Sequence, residues 1–315
     1  MERSEYKKAI ERPLMKRLDS PEKLFLSKAA SGRRWRMMTK MEENKLIEAT
    51  KKMRLDCLRM SRASGKEGMH FGGSLSMIEI AAVLYLSVGN VFPDEIDYEK
   101  RDRIIISKGH GIPAVYAALR QLGRITEEEL DSFKSSRTEL YAHPAVNKRL
   151  GVEFSSGSLG QGLSLGVGCA LALRHKHLNQ SRVYVVLGDG ECNEGSVWEA
   201  ALSARKYRLN RLCAIIDRNA LQYDGKTSHV LPMEPLREKW ESFGWDVLEI
   251  DGHSVRACQE AFLTKTDKPL VVIASTVKGK GISFMENQPE WHFGQMTAKQ
   301  FEQAWGEIIN DRVLF

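Results

Sequence analysis

Five short runs of almost continuously apolar residues constrain the fold of this chain more than any other feature. Most are separated by stretches with helical periodicity, and the runs cover residues 103–107, 183–187, 212–217, 247–250 and 270–275. Continuous hydrophobicity is typical of strands buried on both faces, and strand–helix alternation favours a parallel sheet. The sequence therefore predicts an α/β fold, a doubly wound and mostly parallel sheet with helices on both faces. Ligands of such folds bind beyond the carboxyl ends of the strands.

The first 40 residues differ in composition from the rest of the chain. They hold twelve Lys/Arg against five Asp/Glu, within a net charge of +6 for all 315 residues. We predict a basic extension over residues 1–40 and one α/β domain over residues 41–315. No nucleic-acid-binding motif accompanies the basic segment, so nucleic acid is not an expected partner.

The pattern of cysteines and the hydropathy indicate the cellular compartment of the protein. The five cysteines are scattered, odd in number and without a CxxC pair, which favours reduced thiols in the cytoplasm. No apolar run approaches the roughly 20 residues that span a bilayer, and the charged N-terminus has no signal-peptide core. We therefore expect a cytoplasmic protein without a membrane anchor.

A carboxylate and an amide follow two successive predicted strands. Asp189 lies between Gly188 and Gly190 directly after run 183–187, and Asn219 follows run 212–217. If these strands are neighbours, both side chains lie in one crevice, where the glycines let the backbone approach a bulky anion. A sparse oxygen set of this kind suits Mg²⁺, with Ca²⁺ or Mn²⁺ as substitutes, when phosphate oxygens complete the coordination.

The segment GDGECNEG at residues 188–195, with Asn219 and DGKTS at 224–228, resembles the thiamine-diphosphate fingerprint of transketolases. The resemblance runs from about residue 45 to the C-terminus. It implies that the cofactor is thiamine diphosphate with Mg²⁺ and that the metal ligands are Asp189, Asn219 and the carbonyl of Leu221. It also implies cofactor contact at Gly190 and a subunit-interface role for Glu194.

The same resemblance assigns roles to four of the eight histidines. It implies that His110 and His292 contact the diphosphate, with His292 also assisting proton transfer, and that His143 binds the donor carbonyl. The fourth histidine, a proton-transfer group, falls on His70 when the sequence is anchored on Gly72-Gly73-Ser74. Anchoring on Ser64-Gly65 places Lys66 there instead. Histidine suits such steps because it moves protons near neutral pH.

Two glycine-rich loops complete the predicted site. The loop 156–162 resembles a family loop in which Gly157 and Leu159 contact the cofactor rings. The loop 278–281, with sequence KGKG, is as consistent with a phosphate cradle as with an ordinary basic turn, and it is not among the predicted site residues.

The resemblance ends where the first domain of transketolases ends. In that family a second domain carries the glutamate that engages the cofactor's pyrimidine ring. The sequence therefore predicts the diphosphate-binding half of a split transketolase, a transferase that is active only with a partner subunit, in an α2β2 assembly acting on sugars or sugar phosphates. The alternatives are one component of another two-component enzyme, of the 2-oxo-acid dehydrogenase or deoxyxylulose-phosphate synthase type, and a non-catalytic paralogue.

Overall fold

The computed structural model describes residues 38–92 and 95–310, without the side chains of residues 95–97. The predicted basic extension therefore lies almost wholly outside the described residues. The first helix, α1, begins at Lys40 and runs to Ser64 behind a capping box formed by Thr39 and Glu42. No described helix combines the length and apolarity needed to cross a bilayer.

Five parallel strands form the central sheet, in the order β1–β2–β3–β7–β6. Their bounds are β1 Arg103–Ile106, β2 Val183–Gly188, β3 Leu212–Arg218, β6 Asp246–Asp251 and β7 Leu270–Ser275. A two-stranded antiparallel ribbon follows β3 and consists of β4 Leu221–Gln222 and β5 Gly225–Lys226. Each of the five apolar runs coincides with a strand, and β2 and β3 are neighbours, which is the condition for Asp189 and Asn219 to share one crevice.

The remaining α-helices of the described residues lie before, between and after these strands. They are α2 Gly72–Leu75, α3 Ile78–Ala82, α4 Ile112–Gln121, α5 Glu127–Leu130, α6 Gln161–His175, α7 Gly195–Lys206, α8 Thr227–Val230, α9 Leu236–Ser242, α10 Val255–Leu263 and α11 Ala298–Ile309. A π-helical segment, Val83–Val88, continues α3, and 3₁₀ turns cover Gly65–Glu67, Glu95–Lys100, Gly109–Gly111, Gly190–Asn193 and Pro289–His292.

Two hydrophobic cores, one on each face of the sheet, confirm the predicted doubly wound arrangement. Alternate strand residues such as Val185 pack with α6, α7 and α9 on one face. Their neighbours, such as Val186, pack with α1, α3, α4, α10 and α11 on the other. Successive side chains of a strand point to opposite faces, so a strand that is apolar at every position needs both layers.

The structure differs from the sequence prediction at two places. The strand β6 lies at the edge of the sheet and is half-buried, with Glu249 and Asp251 exposed, so it is not covered on both faces. The sequence from Ser74 to Val88 also predicts one helix, and the structure instead divides this stretch into α2, α3 and the π-helical segment. The break after Leu75 places Ser76 in a turn, where its hydroxyl donates to Asp217 at 2.6 Å.

Candidate active site

The carboxyl ends of four parallel strands bring the predicted site residues to one edge of the sheet. Strand β1 leads to His110, β2 to Asp189, β3 to Asn219, and β7 to Lys278. Because all four strands point the same way, these residues lie on one side of the molecule although they span 169 positions in the chain.

Four histidines from separate segments converge at this edge. The ring of His70 lies 5.6 Å from that of His110, 5.3 Å from that of His143 and 5.5 Å from that of His292, measured between centroids. The rings of His110 and His292 are 5.1 Å apart. Lys66, the alternative to His70, has an exposed side chain. The geometry thus favours His70 as the fourth histidine.

Burial keeps these imidazoles neutral. Desolvation, with the positive potential of His143 and Lys134, lowers the pKa of His70 to about 4. Desolvation and the Lys278 ammonium lower the pKa of His292 to about 3. Burial also lowers the pKa values of His110 and His143. At neutral pH each ring is therefore a proton acceptor rather than a cation.

The predicted metal ligands are adjacent. One carboxylate oxygen of Asp189 accepts the N–H of Ala220 at 2.7 Å, which ties Asp189 to the residue between Asn219 and Leu221. Asn219 Oδ1 accepts the Leu221 N–H at 3.1 Å. Both Asp189 and Asn219 are buried, with 8% of their surface exposed. The turn depends on Ala220, whose φ of 61° lies in the left-handed region.

The donor set fits a metal that also binds phosphate. Burial and the nearby Asp217 carboxylate raise the pKa of Asp189 to about 6, so a cation there relieves an electrostatic cost. The described residues contain no group of three or more His, Cys, Asp or Glu side chains that could hold a metal alone. One carboxylate, one amide and one carbonyl leave several octahedral positions for phosphate oxygens and water, as Mg²⁺ prefers.

Beneath this crevice lies a buried ion pair that the sequence did not single out. Lys108 donates to Asp217 and, at 2.8 Å, to the Gly73 carbonyl. Asp217 also accepts hydrogen bonds from Ser76 and Thr276. Burial opposes ionisation of Asp217, but the Lys108 ammonium and these donors outweigh it and hold its pKa below the usual value. The pair joins the ends of β1 and β3.

Lys278 is the main functional candidate that sequence reasoning left out. Only 1% of its surface is exposed, and its ammonium lies 3.3 Å from the Leu221 carbonyl, 3.2 Å from the Gln222 carbonyl and 3.1 Å from His292 Nδ1. Burial and the Lys108 charge lower its pKa to about 8, so it is largely protonated at neutral pH. A lysine in a surface turn is exposed, so this burial excludes the ordinary basic turn.

The loop 156–162 approaches the histidine cluster at Gly157. A Cβ on Gly157 would lie 3.7 Å from the His143 ring, and Leu159 is half-buried nearby in sequence. Gly190 is close to Gln222, since a Cβ there would lie 2.7 Å from Gln222 Cγ. Gly157 thus borders a predicted site residue, and Gly190 borders the ribbon residue Gln222.

Two glutamates of the segment after β2 have different surroundings. Glu194 is exposed at the start of α7, beside Gly160. Glu191 is buried instead and accepts hydrogen bonds from Ser107, the Gly160 N–H at 2.8 Å and the Gly188 N–H at 3.1 Å. Glu191 therefore fixes the loop 156–162 against the end of β2, whereas Glu194 is available to a partner.

Comparison with known proteins identifies the family. The profile described as "Transketolase, thiamine diphosphate binding domain" matches residues 43–308. The chain belongs to the transketolase family. It is 41% identical over 242 residues to one subunit of the apulose-4-phosphate transketolase of Phocaeicola vulgatus, covering 76% of this chain and 85% of that protein. It is 41% identical over 249 residues to the 6-deoxy-6-sulfo-D-fructose transketolase subunit SqwG of a Clostridium species, covering 78% and 90%.

Single-chain transketolases match over less than half of their length. Human transketolase is 34% identical over 267 residues, which is 84% of this chain and 42% of that protein. The solved transketolase of Leishmania mexicana superimposes with a TM-score of 0.74 at 27% identity, over 87% of this chain and 42% of its own. These matches confirm the predicted fold, family and subunit type, and they do not favour the other thiamine enzymes.

Proposed function

We propose that this chain binds the diphosphate of thiamine diphosphate together with Mg²⁺. With a second subunit it moves a two-carbon ketol unit from a ketose, by default a sugar phosphate, to an aldose. The observation that carries the proposal is the convergence of His70, His110, His143 and His292 beside Asp189 at the carboxyl edge of the sheet. A scaffold without catalytic function has no need for four neutral imidazoles in one crevice.

The residues fall into two groups by their chemistry. Asp189, Asn219 and the Leu221 carbonyl would hold the metal, and Lys278 with His292 would meet phosphate oxygens. Thiamine diphosphate, when bound, supplies the carbon centre that carries the two-carbon unit. The chain's own part is to fix the diphosphate by charge-assisted hydrogen bonds, which are stronger than neutral ones.

Neutral histidines suit the proton movements of ketol transfer. We assign His70, His143 and His292 to substrate hydroxyls and carbonyls, because breaking and forming the carbon–carbon bond requires protons to leave and return to these oxygens. A positioned imidazole contributes about 10²–10⁴-fold to such a step. The lowered pKa values keep these bases unprotonated across the physiological range.

The partner is proposed to cover the mouth of the crevice. Two large aromatic side chains rim it and are exposed in this chain, with 69% of Tyr223 and 43% of Phe293 accessible. The Phe293 ring lies 4.8 Å from that of His70, and the Tyr223 ring 5.3 Å from that of His292. Apolar surface beside a catalytic cluster indicates contact with another protein surface. We propose an α2β2 assembly whose second subunit brings the pyrimidine-binding domain and also meets Glu194.

For the donor sugar we propose a chemical class and not one compound. The relatives named for apulose 4-phosphate and for 6-deoxy-6-sulfo-D-fructose indicate that branched and sulfonated sugars lie within reach of similar subunits. We propose a ketose with an anionic terminal group as the donor. The five cysteines are unpaired, which supports our placement of the assembly in the reducing cytoplasm.

The experiment uses this chain with the product of a neighbouring reading frame that resembles the latter part of a transketolase. We expect ketol transfer only when both chains, thiamine diphosphate and Mg²⁺ are present, and no turnover with pyruvate as the donor. Asp189→Ala should abolish Mg²⁺-dependent cofactor binding in calorimetry. Turnover by this chain alone would refute the requirement for a partner, and unchanged binding by Asp189→Ala would refute the metal assignment.

A further inference from the structure

A series of polar contacts, buried at Arg54 and Glu79, links α1 to the turn after β6. Arg54 of α1, which is fully buried, pairs with Glu79 of α3 at 2.7 Å. The other oxygen of Glu79 lies 2.9 Å from Nδ1 of His253, in the turn after β6. We propose that Arg54, Glu79 and His253 are positioning residues that hold the Lys278 ammonium in place for the cofactor diphosphate. This inference rests on the proposed function.

Both ends of this polar chain contact the backbone of the loop that carries Lys278. His253 Nε2 accepts the N–H of Val277 at 2.8 Å. Arg54 Nε donates to the carbonyl of Lys280 at 3.1 Å. The two contacts therefore lie one residue before and two residues after Lys278. A loop held on both sides of one residue has little freedom to turn that residue's Cα–Cβ bond away from the crevice.

Glu79 is held between Arg54 and His253 in this polar chain. Burial opposes ionisation of Glu79, but the Arg54 charge and the bond to His253 outweigh it and lower its pKa. Because Nε2 of His253 accepts the hydrogen bond of the Val277 N–H, its Nδ1 carries the hydrogen that is donated to Glu79. Arg54 and Glu79 thus cancel in charge. Removing one partner of such a buried pair leaves an uncompensated charge.

Lys278 needs this support because a lysine side chain is intrinsically flexible. Its free rotamers correspond to about 2 kcal/mol of entropy. Its aliphatic part passes over Gly72, where a Cβ would lie 2.6 Å from Lys278 Cγ, and the Gly279 N–H donates to the Gly72 carbonyl at 3.2 Å. The contacts with Gly72 therefore fix the aliphatic part of Lys278, and the hydrogen bonds of His253 and Arg54 fix the backbone on both sides of it. An ammonium group that is already held in position before the anion binds loses less conformational entropy on binding.

The test is calorimetric titration of thiamine diphosphate with Mg²⁺ into the complex of this chain and its partner subunit. His253→Phe keeps a ring but loses both hydrogen bonds, and we expect the Kd to rise about tenfold. His253→Gln retains an acceptor for the Val277 N–H and should stay within about threefold of wild type. His175→Phe, on the exposed surface of α6, is the matched control and should bind as wild type does. At saturating cofactor, kcat should change less than twofold in His253→Phe.

A double-mutant cycle separates positioning from general loosening of the fold. Lys278→Met alone should weaken binding, and adding His253→Phe to it should weaken binding no further, because the positioned group is already gone. Losses that add would overturn the inference, as would unchanged affinity in His253→Phe alone. If that variant fails to unfold cooperatively, Glu79→Gln replaces it in the same cycle with the same two outcomes. A wild-type complex that binds no cofactor would refute the proposed function and this inference with it.

Discussion

Substitution of Gly73 by alanine should displace His110 and weaken cofactor binding without unfolding the protein. A Cβ built on Gly73 lies 2.5 Å from His110 Cδ2 and 2.7 Å from Nε2. Packed carbon atoms sit about 3.5–4.0 Å apart, so the ring has to move by about 1 Å. The His70 and His292 rings, 5.6 and 5.1 Å away between centroids, stand in its neighbourhood.

The backbone of Gly73 cannot easily absorb this clash. Its carbonyl accepts from Lys108 at 2.8 Å, and the next residue, Ser74, donates its hydroxyl to the His70 carbonyl at 2.6 Å. Overpacking of this kind costs about 1–3 kcal/mol. We therefore expect a modest fall in Tm. Because every 1.4 kcal/mol corresponds to about tenfold in affinity, a comparable cost at the site raises the Kd for thiamine diphosphate with Mg²⁺ by about 10- to 100-fold.

The assay is calorimetric binding to the complex with the partner subunit, together with thermal unfolding. Gly168→Ala is the matched control, since Gly168 lies in α6 with nothing within 4 Å of a new Cβ. Alanine there should stabilise the helix by up to about 1 kcal/mol and leave binding unchanged. If the Gly73→Ala variant binds the cofactor with wild-type affinity and its His110 NMR resonance is unshifted, the steric reasoning is refuted.

The other predictions concern protonation, the metal and the fourth histidine. NMR should find His70 and His292 neutral at pH 6. The free energy of unfolding should fall as pH drops from about 6.5 to about 4, because these rings take up protons at higher pH in the unfolded state than in the folded state. Protonated rings at pH 6 and a free energy of unfolding that does not change with pH would contradict this. Asp189→Asn should remove the EDTA-sensitive part of cofactor binding, and retained EDTA sensitivity would exclude Asp189 as a ligand. His70→Ala should lower kcat/KM for the donor at least 100-fold while Lys66→Ala leaves it unchanged; the reverse result would reassign the role to Lys66.

The sequence predicts the parallel sheet well because burial on both faces leaves a local signature. Strands β2 and β3 are apolar at nearly every position, and their adjacency follows the common tendency of consecutive strands to pair. The place of Asp189 at a strand end was therefore predictable. The same reasoning fails at β6, where Val247 and Ile250 suggest a buried strand although Glu249 and Asp251, on one of its faces, are exposed.

The sequence is weaker for residues whose role depends on distant contacts. The turn KGKG around Lys278 has the same composition whether the lysine points into water or into a crevice. Its burial depends on Gly72, the Leu221 carbonyl and His292, which lie 206, 57 and 14 positions away. In the sequence His253 resembles an ordinary surface histidine for the same reason, since its partner Glu79 is 174 positions away.

The sequence by itself determined the fold class, the strand positions and the places of Asp189 and Asn219 at the ends of successive strands, because each leaves a pattern within a few residues of the chain. Tertiary structure alone decided the strand order, with β7 inserted between β3 and β6. It also brought together four histidines from separate segments. It buried Lys278 in a loop that His253 and Arg54 contact on either side. These features depend on how helices pack on the two faces of the sheet. The contacts that stabilise this packing join residues far apart in the sequence, so no short segment of the chain reveals them.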